Sequence, residues 1–74
     1  MGQIATYTFA VEGMHCASCG MLIDETVEDL NGVATSTTSL RTGRATVTLD
    51  PARCGPADVV AAIVTAGYTA RLET

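Results

Sequence analysis

Polar and apolar positions along this 74-residue chain follow two different periods. Near the N-terminus Tyr7, Phe9 and Val11 alternate with Thr6, Thr8 and Ala10, the period-2 signature of a strand with one buried face. From Ala17 to Leu30 the period lengthens. Leu22, Ile23, Val27 and Leu30 recur at helical spacing, with Asp24, Glu25, Glu28 and Asp29 on the other side. Asn31-Gly32 stops that helix, because Gly commonly stands just past a helix end. Val33 to Leu40 is a Thr- and Ser-rich strand. Arg41 to Arg44 turn it into a second strand, Ala45 to Leu49, and the pair forms a hairpin. Asp50-Pro51 breaks the strand. Pro56 suits a first helical position, and Val59, Val60, Ile63 and Val64 carry a second helix to Ala66. Gly67 caps it, and Tyr68 to Leu72 make a last short strand.

The predicted order is βαββαβ. Two βαβ halves with right-handed crossovers fold into an α+β, ferredoxin-like sandwich: a four-stranded antiparallel sheet with two helices on one face. Residues 1–74 then form one domain, since a second core needs about 50 residues of its own.

Composition removes several function classes. Apolar residues make up 47% of the chain, enough for a core and too many for a disordered tail. The net charge is −4, and the only cations besides His15 are Arg41, Arg44, Arg53 and Arg71, which argues against binding nucleic acid or anionic lipid. With one Phe, two Tyr and no Trp, there is no stacking platform for single-stranded nucleic acid. No apolar run is long enough to span a membrane and the N-terminus lacks a signal-peptide pattern, so a cytoplasmic chain is expected. The three cysteines divide into Cys16-x-x-Cys19 and a lone Cys54. That pattern fits reactive or metal-binding thiols in a reducing compartment better than a disulfide framework.

The stretch Gly13-Met14-His15-Cys16-Ala17-Ser18-Cys19 joins the first strand to the first helix. Two thiols three residues apart at a helix start can point at one small soft ion, and the positive end of the helix dipole favours their thiolates. Thiolates select Cu(I) or Zn(II). A structural zinc site uses four closed ligands, which the chain's cysteines do not supply, so the site reads as open and under-coordinated. Met14 reads as a gap-filler under the loop rather than a ligand. His15 reads as pointing to water, with ligation the alternative. Cys54 falls in a connection at the opposite end from Cys16 and reads as core. The acidic helix face reads as solvated, or as a docking face for a basic partner.

The motif and its framework resemble the heavy-metal-associated domains of small bacterial copper chaperones and of copper-transporting P-type ATPases. The resemblance runs through Gly13-Met14-x-Cys16-x-x-Cys19, Ile23, Val27, Leu30-x-Gly32-Val33, Thr42-Gly43-x-Ala45-x-Val47, Asp50-Pro51, Ala62-Ile63 and Gly67-Tyr68. It implies a non-enzymatic protein that binds Cu(I) through Cys16 and Cys19. It also implies transfer by ligand exchange to a partner's cysteine pair, in a copper-transporting ATPase or another acceptor, and a monomer or a metal-bridged dimer. Tyr68 matches a Tyr that covers the site in bacterial copper chaperones, so His15, Tyr68 and Met14 are the accessory candidates. The short chain with Met1 near the first strand favours a free chaperone over a detached ATPase domain. Zinc, cadmium or mercury is the alternative cargo; His15 stands where zinc-exporting relatives often carry an acid. Redox chemistry of the thioredoxin type is disfavoured, since the Trp and Pro that accompany such motifs are missing. Three positions depart from the family pattern: Gly20 follows Cys19, and Ser36 and Thr38 replace apolar residues. An edge position for their strand would tolerate the latter.

Overall fold

The structure, a computed structural model, describes residues 4–14 and 17–73. Its elements are β1 (Ala5–Glu12), α1 (Ala17–Glu28), β2 (Val33–Ser39), β3 (Arg44–Leu49), α2 (Pro56–Thr65) and β4 (Thr69–Leu72). The strands form one antiparallel sheet in the order β2-β3-β1-β4, the ferredoxin-like arrangement. Phe9 pairs with Ala45 on one side of β1 and with Leu72 on the other.

Alternation places Phe9, Val11, Ala45, Val47 and Leu49 on the inner face of the sheet. They meet Ile23 and Val27 of α1, Val59 and Ile63 of α2, and Cys54. Each helix buries a narrow i,i+4 stripe, so the apolar positions beside it stay outside. Leu22, expected inward, is 44% exposed, and Val64 is 52% exposed. Helix α1 also ends two residues earlier than its pattern predicts. The Leu30 amide donates to the Val27 carbonyl at 3.0 Å, tightening the last turn, and Leu30 packs half-buried against the core.

The end of α2 fixes the approach to β4. Gly67, at φ +104°, donates to Val64 O, and Tyr68 donates to Ile63 O at 3.2 Å. This pair of bonds is a Schellman motif, with Gly67 in the left-handed position that a side chain disfavours. It fixes the backbone of Tyr68 immediately before β4.

Candidate functional site

Glu12 ends β1, Ala17 opens the described part of α1, Ser39 ends β2, and Tyr68 precedes β4, so all of these come together at one end of the molecule. Cys19 sits on the first turn of α1 and is half-buried. No acidic side chain lies in that turn. Its partner in the motif, Cys16, and the candidate His15 lie outside the described residues. Met14 is half-buried and packs against the core.

Tyr68 is half-buried too, and its ring faces the loop: a Cβ built on Gly13 would stand 3.5 Å from Tyr68 Cδ1. The loop that follows β1 and the connection that precedes β4 therefore lie close together. Among the described residues no three His, Cys, Asp or Glu side chains converge on a common point.

Cys54 lies at the other end. It is 3% exposed, belongs to the core, and packs beside Gly32, beyond the C-terminus of α1. Helix α1 has twelve residues, so about 18 Å of helix separates the two ends. Burial pushes the Cys54 thiol above its ordinary range, and the nearby Asp58 carboxylate adds to the shift.

The acidic face of α1 departs from the expected solvated surface. Asp24 accepts hydrogen bonds from the Thr38 hydroxyl at 2.6 Å, the Ser36 hydroxyl at 2.8 Å and the Thr38 amide at 3.2 Å. Glu28 accepts one from the Ser36 amide at 3.0 Å. Only Glu25 and Asp29 remain exposed without such bonds to β2. The physical reason is spacing. Asp24 and Glu28 are four residues apart and share a helix face, and Ser36 and Thr38 are two apart and share a strand face. Two polar residues at inward positions of β2, opposite two acids at i,i+4, were the available signal. The network also occupies amides on an edge strand, which otherwise invite pairing with another chain.

Residues 8–69 match the heavy-metal-associated domain family. A copper-transporting ATPase of Rhizobium meliloti is 41% identical over 89% of this chain and 8% of its own length. A zinc-transporting ATPase of Synechocystis sp. is 38% identical over 89% of this chain and 9% of its own length. The chain thus spans less than a tenth of these two relatives. The solution structure of a putative copper-ion-binding protein from Bacillus anthracis superposes with a TM-score of 0.90 at 34% identity, covering 96% of this chain and all of that one. No helix among the described residues is long and apolar enough to cross a membrane.

Proposed function

The chain belongs to the heavy-metal-associated domain family, and we propose that it carries Cu(I) on Cys16 and Cys19 and hands it to another cysteine-pair site. The observation that carries this reading is the meeting of the Cys19 turn, the Gly13 loop and Tyr68 at one end of the fold. Two thiolates suit a soft ion of low coordination number, whereas zinc favours four ligands. Transfer follows from the same deficit. An incoming thiolate adds to the ion as a third ligand and one of the original sulfurs leaves; the acceptor's second thiolate then displaces the other in the same way, so the metal passes without ever being free. The module holds cargo and makes or breaks no covalent bond in a substrate.

We read the chain as a copper chaperone of the cytoplasm, acting on a copper-transporting ATPase. The alternative, an N-terminal domain of such an ATPase, is supported by the two ATPase relatives. Zinc or mercury as cargo is the alternative in metal.

Anaerobic titration with Cu(I) and Zn(II) against a competing chelator tests the reading. Wild type should take one Cu(I) per chain, or share ions between two chains, and prefer it to zinc. Cys16→Ser and Cys19→Ser should each abolish tight binding, while Cys54→Ala should retain it. Tight Cu(I) binding that survives both serine variants, or disappears with Cys54 alone, overturns it.

A further inference from the structure

We propose that Asp24 is a positioning residue for the metal-binding loop, an inference that rests on the reading of Cys16 and Cys19 as the metal ligands. It holds the first turn of α1 against β2 in the orientation that aims Cys19.

The argument begins with a stripe on α1. Gly20, Asp24 and Glu28 recur at i, i+4 and i+8 and face the same strand. Gly20 is buried, and a Cβ there would lie 3.6 Å from Thr38 Cβ, Cγ2 and O. Thr38 thus faces the helix at two levels: opposite Gly20, next to Cys19 in sequence, where a methyl-sized space separates them, and at Asp24, where its hydroxyl and amide both donate. With no side chain at position 20, that position adds no apolar contact to β2, and the nearest apolar anchor of α1 is Ile23, which faces the core. Directional bonds to a carboxylate hold the helix start to β2 instead.

Such bonds have a property that apolar contact lacks. A packed aliphatic stripe tolerates a small slide or rotation, whereas three hydrogen bonds of 2.6–3.2 Å to one carboxylate do not. Each residue of a helix advances 1.5 Å and turns through 100°, so a small rotation about the axis re-aims a thiol in the first turn. Ser36 and Thr38 are the strand half of this device.

The test uses the apo-protein, so it does not depend on metal binding. Alkylation of Cys16 and Cys19 is followed by mass mapping, which separates them from Cys54, in Asp24→Asn, Thr38→Val and the double variant. Asn keeps the shape of Asp24 but has one acceptor oxygen where the carboxylate uses two, so it cannot accept from the Thr38 N–H and from both hydroxyls at once. Thr38→Val removes only the hydroxyl, and serves alone should Asp24→Asn fail to fold. Val59→Ala, in the core at the opposite end, is the control, with urea added until all variants are equally stable. At equal stability Asp24→Asn should alkylate about tenfold faster than the control, the factor expected for losing a hydrogen bond to a charged group. The double variant should be no faster than Asp24→Asn. Equal rates in Asp24→Asn, Thr38→Val and Val59→Ala would overturn the positioning role and leave the network purely structural. Wild type that takes up no Cu(I) would instead sink the proposed function, and the alkylation result would still report the loop's geometry.

Discussion

The ring of Tyr68 faces Gly13, with Cδ1 3.5 Å from where a Cβ on Gly13 would stand. The two residues bring the loop after β1 close to the residue that precedes β4. The Schellman bonds at the end of α2 hold Tyr68 there through its backbone, whatever its side chain. Tyr68→Ala should therefore keep the fold. A half-buried ring contributes less than the roughly 3–5 kcal/mol of a fully buried aromatic, so the urea midpoint should fall by a fraction of that. If the ring covers the proposed metal site, the same variant should lose Cu(I) to a chelator faster and expose its loop thiols to alkylation. A large loss of midpoint with an unchanged off-rate would assign Tyr68 to the core alone.

Cys54 should mark the alkaline limb of the stability curve. Its folded pKa is raised by burial and by Asp58, so the native state keeps a proton that the unfolded chain gives up from about pH 8.5. The unfolded state then binds fewer protons, and stability falls as pH rises. The contribution is complete below the unfolded thiol's pKa and is lost as pH rises through the folded one. Urea midpoints from pH 7 to 10 should drop less steeply in Cys54→Ala than in wild type; comparing the two removes the contribution of Cys16 and Cys19. Parallel curves would show that the Cys54 thiol does not drive the decline.

Much of this was legible in residue order. Phe9, Val11, Ile23, Val27, Val47 and Ile63 are buried as their periods predict, because a one-residue slip in strand or helix would turn each of them outward. Gly67 and Tyr68 were readable as a cap and the residue that follows it. The Asp24 network was not, since periodicity sorts residues into inside and outside and treats an acid as outside. A carboxylate can face inward when the strand beneath it supplies donors, and that depends on how α1 registers on β2. Leu22 and Val64 were misplaced for a related reason: an apolar side chain beside the buried stripe carries no mark that distinguishes it from one within it.

Two glycines should respond to alanine with opposite signs. At Gly32 a Cβ would fall 2.6 Å from Arg53 Cβ and 3.1 Å from Cys54 Cβ, at a φ of +104° that side chains rarely adopt. Gly32→Ala should cost more than about 1 kcal/mol, since backbone strain and a clash with the 53–54 connection act together. Gly20 is helical, and a Cβ there meets Thr38 only at ordinary contact distance. Gly20→Ala should stabilise by up to about 1 kcal/mol through helix propensity. For a chain of this size, that raises the melting temperature by up to about 4–8 °C. Thermal melts of the two variants beside wild type decide both. A loss of stability in Gly20→Ala would mean that α1 approaches β2 too closely for even a methyl group.

The exposed acids Glu25 and Asp29 should separate docking from folding. Unlike Asp24 and Glu28, they make no hydrogen bonds to β2, and the last turn of α1 carries no basic residue to answer the helix dipole. Acids at that end cost a few tenths of a kcal/mol, so Glu25→Lys with Asp29→Lys should leave stability unchanged or raise it slightly. Their exposure fits a partner with a basic face. Cu(I) displaces two thiol protons and adds one charge, taking the formal net charge from −4 to −5, so the loaded form should be steered somewhat more strongly than the apo form. Transfer to a basic-faced acceptor should slow in the double variant while its Cu(I) affinity stays that of wild type. The wild-type rate should fall with added salt, because charges are screened beyond about 8 Å at physiological ionic strength. The salt dependence should be weaker in the variant. Stopped-flow transfer at several salt concentrations, with a chelator titration on the same preparations, measures all three quantities. Equal transfer rates in the two proteins would remove this face of α1 from docking.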